Sequence, residues 1–131
     1  MSQGMEKSTV AAPKASLGRR IRNFYQHFNQ GDWERCYQYV DPRLRTAGKV
    51  SEAHYVESLA AFKKRYGAIQ IWYVRTSLHL DPSGNKHDDR PFAYAYVFWQ
   101  DDHKGFHVFR ERWVQASGRW YTRVAGLVAS A

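Results

Sequence analysis

Cysteine is almost absent from this chain: Cys36 stands alone among 131 residues. A single thiol excludes an intrachain disulfide and a cysteine-rich zinc site, so the core has to hold the fold, and a reducing compartment is the simpler expectation. Long apolar runs are missing too. Nothing is long enough for a signal-peptide core or a membrane crossing, and residues 1 to 16 contain no aromatic residue, Leu or Ile. We read those residues as a flexible tail ahead of one domain over 17–131, with no membrane partner and the cytoplasm as the default location. A mature fragment stripped of a targeting segment would read the same way. Acidic residues are scarce, 12 against 20 Lys plus Arg, giving a formal net charge of +8. That balance favours anionic partners through long-range attraction without selecting one.

What the chain has in quantity is rings. A hydrophobic fraction of 44% with 16% aromatic residues excludes native disorder and predicts a ring-rich core in a single domain. Leu17, Ile21, Phe24 and Phe28 recur at helical spacing, with Arg19, Arg20, Arg22 and Asn23 between them, and Gly31 closes the segment. Asp32 is placed to cap a second helix bearing Trp33, Cys36, Tyr37 and Val40, which Pro42 discourages from continuing. The RLRTAG segment, 43–48, reads as a short strand. Ser51 is placed to cap a third helix carrying Tyr55, Val56, Leu59, Phe62 and Tyr66, ended by Gly67.

From Ile69 the pattern changes to β-branched and aromatic runs: 69–80, 92–99, 106–114 and 119–128. Asp101 to Gly105 and Ala116 to Gly118 are turn-forming breaks, short enough to force antiparallel hairpins. Even-numbered loops centred on His103-Lys104 and Ser117-Gly118 place Glu111 opposite Tyr96 and Val124, Phe109 opposite Phe98, and Trp113 opposite Tyr94 and Thr122. One face then collects Phe92, Tyr94, Tyr96, Phe98, His107, Phe109, Glu111, Trp113, Trp120, Thr122 and Val124. The other collects Ala93, Ala95, Val97, Trp99, Val108, Arg110, Arg112, Val114, Tyr121 and Arg123.

Helix, helix, short strand, helix and a four-stranded meander resembles the NTF2-like superfamily, which includes the SnoaL-like and ketosteroid-isomerase-like proteins. The residues that carry the match are Gly31-Asp32-Trp33, Asp41-Pro42, and the closing hairpin in which Trp113 and Trp120 flank Gly118, within a stretch from Leu17 to Val128. The resemblance implies an α+β fold, with three N-terminal helices packed on a curved antiparallel sheet that forms a cone with a pocket, and a homodimer made through the sheet. It does not carry chemistry across, because this fold hosts many unrelated activities. Phe24 stands near the place of the isomerases' oxyanion-binding tyrosine, and Arg43 to Gly48 contains no carboxylate where their general base would follow the second helix. Isomerase chemistry of that kind is disfavoured.

The ring-rich face is the candidate concave side, and Glu111 is its one carboxylate. Burial among rings raises a carboxyl pKa toward the range useful for proton transfer unless a cation pairs with it, and Arg75 on the neighbouring strand is the obvious structural partner. As an enzyme, the chain would use cofactor-free proton transfer or hydrolytic chemistry, with Glu111 as acid or base, Tyr96 as orienting donor and His107 as relay. Tyr25, Tyr94, Phe98, Phe109, Trp113 and Trp120 would line the site for a small apolar or aromatic molecule. His87, Asp88 and Asp89 in one loop and Asp101, Asp102, His103 and His107 in the next read as solvated turn charge, not as metal ligands, since the loops fall at opposite ends of a strand.

The leading expectation is therefore small-molecule binding in a cone. The alternative is an interaction module whose basic outer face takes nucleic acid or an acidic protein, using Arg19, Arg20 and Arg22 and a patch of Arg110, Arg112 and Arg123 interleaved with Trp99 and Tyr121. Arg112 and Arg123 would face each other across that patch, so an anion or a partner subunit would be needed between them.

Overall fold

Leu17, Ile21, Phe24, Tyr25 and Phe28 form one apolar stripe of the first helix, and none of them is more than 1% exposed. The computed structural model describes residues 14–80 and 89–124, and this helix, α1, spans Lys14–Asn29. Residues 1–13 of the expected tail lie outside the described residues, whereas 14–16 already belong to α1. Gly31, at φ 73°, turns the chain into α2, Trp33–Tyr37. Asp32 does not cap α2 with its side chain; it pairs with Arg35 at 3.4 Å. The 43–48 segment is no strand. Asp41 accepts a hydrogen bond from the Arg43 amide at 3.1 Å, and Pro42, with its fixed φ, opens a short helix α3 over Pro42–Thr46. Ser51 caps α4, Glu52–Tyr66, as expected, by accepting from the His54 amide at 3.2 Å. No helix among the described residues is long and apolar enough to cross a membrane.

Four strands follow in an antiparallel sheet of order β1-β2-β3-β4: Gln70–His79, Phe92–Gln100, Phe106–Ala116 and Arg119–Val124. The fold is α+β, with the helices on one face of an open meander. Asn29 fastens the end of α1 to the start of the sheet, accepting from the Ile69 amide at 2.8 Å and donating to its carbonyl at 2.9 Å.

The register of the β2–β3 hairpin corrects the expected faces. Gln100 pairs with Phe106, so the loop holds the five residues Asp101 to Gly105 instead of an even number. Asp101 templates it: Oδ1 accepts from the amides of His103 at 2.7 Å and Gly105 at 2.9 Å, and Lys104 takes a left-handed φ of 67°. An odd loop slips the pairing by one residue and turns every β2 side chain to the other face. Glu111 therefore faces Ala95, Phe109 faces Val97 and Trp113 faces Ala93, not Tyr96, Phe98 and Tyr94. Ala93 and Ala95 are fully buried on the inner face, while Tyr94 and Tyr96 are half-buried on the outer one. The Ser117-Gly118 turn is as expected, with both residues at positive φ and Trp113 opposite Thr122.

Two bulges adjust the edges. Ile71 and Tyr73 pair with the adjacent residues Trp99 and Phe98, which leaves Trp72 out of the ladder. Val124 and Thr122 likewise pair with Arg112 and Trp113, so Arg123 is the extra residue; Val124 lies opposite Arg112 and not the expected Glu111, and Arg112 does not face Arg123. The core between helices and sheet is built from rings: Phe24, Tyr25, Phe28, Phe62, Trp99, Phe109, Trp113 and Trp120 are each 5% exposed or less.

Candidate functional site

Glu111 is buried at 1% exposure in the middle of the inner face. Its Oε2 accepts from the Tyr25 hydroxyl and its Oε1 from the Trp113 indole Nε1 at 2.9 Å. Arg75 is not its partner. Alternation puts Arg75 on the outer face, where its guanidinium lies 5.0 Å over the Tyr96 ring. Burial first, then the Glu111 charge and hydrogen bond, raise the Tyr25 pKa well above the ordinary phenol value, so Tyr25 is a protonated donor. The Tyr55 hydroxyl is also buried and has no hydrogen-bond partner among the described residues, and its pKa is likewise raised, chiefly by burial. Cys36 shares this interior, its thiol pushed up to about 12 by burial and by Asp32.

A second buried carboxylate was legible only as a helix exit. Asp41, fully buried, receives a bidentate pair from Arg90 at 2.7 and 2.8 Å and a third contact from Arg123 Nη1 at 3.0 Å. Its amide donates to the Thr122 carbonyl at 2.9 Å. Burial alone would raise the Asp41 pKa, but the hydrogen bonds from Arg90, the Arg43 amide and Arg123 outweigh it and hold the carboxyl below its ordinary value. This node joins the α2–α3 junction to β4 and to the segment entering β2.

The structure thus divides the expected site residues between two faces. Glu111, Tyr25, Phe109, Trp113 and Trp120 share the interior with His107, which stacks on Trp99 at 4.3 Å and meets Asp101 Oδ2 at 2.7 Å, well along the strand from Glu111. The His107 hydrogen bond, then the Gly105 amide, lowers the Asp101 pKa. Tyr94, Tyr96 and Phe98 are on the other side of the sheet, so Tyr96 cannot orient Glu111. The basic patch is reduced, with Arg110 and Arg112 keeping the outer face and the other members drawn away. Arg20 packs 4.0 Å from the Tyr39 ring and donates to the Trp120 carbonyl at 2.9 Å, Arg123 is committed to Asp41, and Trp99 is buried. Among the described residues no three His, Cys, Asp or Glu side chains are grouped to hold a metal ion; His87 and Asp88 lie outside them.

The slip that emptied the interior of Tyr94, Tyr96 and Phe98 gives the outer face its character. Rows of paired residues run across it: Tyr73 and Phe98 with Val108, then Arg75 and Tyr96 with Arg110. Toward Phe92 and Val114 the face is buried, at 7% and 0% exposure. The opposite corner is open. Trp72, Tyr73, Phe106 and Val108 are 54–67% exposed, four of the five exposed large apolar side chains among the described residues. Trp72 meets Phe106 edge-on at 5.5 Å, and its indole donates to Gln100 Oε1 at 3.3 Å. A groove of about 320 Å³ opens at this corner, lined by Trp72, Phe98, Phe106 and Val108 together with Trp99 and His107.

No protein-family model, no curated protein and no solved structure matches this chain. Function has to be read from the corner and the interior themselves. Exposed Arg75 and Arg110 border the corner, and no outward position on the described strands carries a carboxylate. The two aspartates of the nearby loop point elsewhere: Asp101 to His107, and Asp102 onto Gly67, where an added Cβ would fall 1.9 Å from Oδ2. An aromatic surface with unopposed positive charge results.

Proposed function

We propose that this chain is a binding module of NTF2-like type that receives an anionic partner on the open corner of its sheet. The observation that carries the reading is the corner itself: exposed Trp72, Tyr73, Phe106 and Val108 beside exposed Arg75 and Arg110, with no outward carboxylate. Clustered exposed apolar surface marks an interaction site, and the charge selects the sign of what binds. The order of helices and then a four-stranded meander, with the Gly31-Asp32-Trp33 and Asp41-Pro42 junctions, supports the NTF2-like assignment. A heparin fragment is the test ligand. It is expected to bind wild type at low salt and to weaken steeply as salt rises, with the double variant R75A/R110A binding less at every salt concentration. Absence of binding by wild type at low salt overturns the reading.

A second reading keeps the interior as a small-molecule site. It is favoured by a groove of about 240 Å³ lined by Arg22, Tyr25, Gln26, Asn29, Ile69 and Ile71, which reaches the same Tyr25 that donates to Glu111. A ligand there would be small and apolar or aromatic, and a proton would pass between it and Glu111 through the Tyr25 hydroxyl. Tyr25→Phe separates the two readings: it should abolish ligand binding in the groove and leave polyanion binding at the corner unchanged.

A further inference from the structure

We infer that the partner at the open corner is single-stranded nucleic acid, with a base seated in the groove lined by Trp72, Phe98, Phe106 and Val108, against the exposed ring of Trp72 or Phe106, and neighbouring phosphates on Arg75 and Arg110. This rests on the anionic-partner reading above and deepens it.

Three observations carry the inference together. The first is the kind of apolar surface on offer. Trp72 is 61% exposed and Phe106 67%, and these are ring side chains whose π-faces accept any base, not aliphatic side chains that need a shaped partner. The bulge on β1 is what makes this possible, since it takes Trp72 out of the ladder and sets it across from Phe106. The second is the alternation of rings and arginines. Arg75 and Arg110 lie one same-face row along the strands from Phe98 and Val108, roughly 7 Å at extended spacing, so a backbone crossing the rows meets stacking surface and cation in turn. The guanidinium of Arg75 already lies over Tyr96 and that of Arg110 5.3 Å over Tyr94, which fixes both cations at the sheet surface. The third is exclusion of competitors by charge. A second copy of a chain with net charge +8 would bring arginines to a face that has no carboxylate to receive them, whereas a polyphosphate brings the missing sign. A duplex hides its base faces, so the exposed rings select an unpaired strand.

The test uses the full chain and three labelled polyanions read by fluorescence anisotropy: a pyrimidine oligonucleotide, an abasic oligonucleotide of the same length, and a heparin fragment. The pyrimidine strand is expected to bind more tightly than the abasic one. Trp72→Ala should weaken the pyrimidine strand roughly 5- to 150-fold, the range for loss of one stacked base, while leaving the abasic strand and heparin within about twofold. Phe106→Ala should act in the same way. Both residues are exposed, and an unchanged melting profile will show that each variant is folded. Equal binding of all three polyanions, unaffected by Trp72→Ala, overturns the base-binding inference and leaves the anionic-partner reading standing. Failure of all three to bind wild type overturns both. Concentration-dependent self-association in sedimentation that Trp72→Ala abolishes assigns the corner to a second copy and also overturns both.

Discussion

Replacing Glu111 with leucine should destabilise this protein severely, even though a carboxylate is being exchanged for an apolar side chain in an apolar interior. The Tyr25 hydroxyl and the Trp113 indole both donate to Glu111 from fully buried positions. Leucine offers neither an acceptor, and a buried donor left without one costs about 1–3 kcal/mol. Two such donors bring the penalty to about 2–6 kcal/mol, offset in part because a buried carboxylate no longer has to be desolvated. A net loss of about 3 kcal/mol is a large fraction of the roughly 5–15 kcal/mol typical of a whole domain. Urea unfolding followed by tryptophan fluorescence reads it directly. With a slope of about 1.5 kcal/mol/M, the midpoint moves down by about 2 M at unchanged slope. Glu111→Gln keeps an oxygen for Trp113 and lets its amide donate to the tyrosine oxygen, so it should lose only about 1–2 kcal/mol. Adding Tyr25→Phe to the leucine variant removes one stranded donor. Part of the penalty should return, a coupling of about 0.5–3 kcal/mol. A leucine variant within about 0.5 kcal/mol of wild type, or two single penalties that simply add, would refute the claim that this carboxylate is a structural acceptor.

Asp41→Asn should cost about 3–5 kcal/mol, because it removes a buried carboxylate from the paired guanidinium of Arg90. The Asp41 pKa lies below its unfolded value, so its stabilisation is complete above about pH 4 and is lost as pH falls through the folded pKa; acid titration of stability should be shallower in the variant than in wild type. The raised pKa values of Tyr25 and Tyr55 act at the other end, contributing stability that is fully present below about pH 10 and lost as pH rises through their folded values. Of the nine tyrosines, these two should ionise only together with alkaline unfolding, a step visible in phenolate absorbance; smooth independent titration of all nine would contradict their burial. Cys36, buried and with its pKa near 12, should resist alkylation in the native protein at neutral pH and react at once in urea; rapid native labelling would show that α2 opens readily.

Much of this architecture is legible in the residues because local and tertiary demands agree. The stripe from Leu17 to Phe28, the Ser51 cap and the Ser117-Gly118 turn each have a local cause, and each takes the expected form. The failures share a physical origin. The β2–β3 loop takes five residues because Asp101 bonds two amides within it and reaches His107 beyond it, and a single side chain's choice of partners has no period for a pattern to reveal. One residue of slip then exchanged the faces of β2, which is why Tyr94, Tyr96 and Phe98 were expected beside Glu111. Residues 43–48 offered three arginine and threonine positions that read as extended, while Pro42 after a capping Asp41 starts a helix. The Asp41 node joins residues 49 and 82 positions apart, and nothing in spacing announces such a contact.

The same slip decides which surface is left open for the partner we propose. With the tyrosines inside, β2 would have lined a cavity and left a face of alanines and valines outside, dull and weakly specifying. With the alanines inside, α1 settles onto the sheet, rings from β3 and β4 fill the space, and Glu111 is engaged by Tyr25 and Trp113. The aromatic residues of β2 are then added to the arginines of β1 and β3 on the outer side. The described residues form one sheet, and on the reading we propose, the face that gains rings and cations while the opposite face closes around helices is the one available to a partner. Lengthening the Asp101–Gly105 loop by one residue sets the two hairpin registers directly against each other. If the register follows the loop, the insertion must turn either Trp99 or His107 outward and expose the core; if the core dictates the register, the extra residue will be extruded into the loop and the corner will keep its rings and arginines. We expect extrusion, because reversing the faces would expose Phe109 and Trp113 at a cost of about 1.5–3 kcal/mol for each large apolar side chain, far more than one extra loop residue costs.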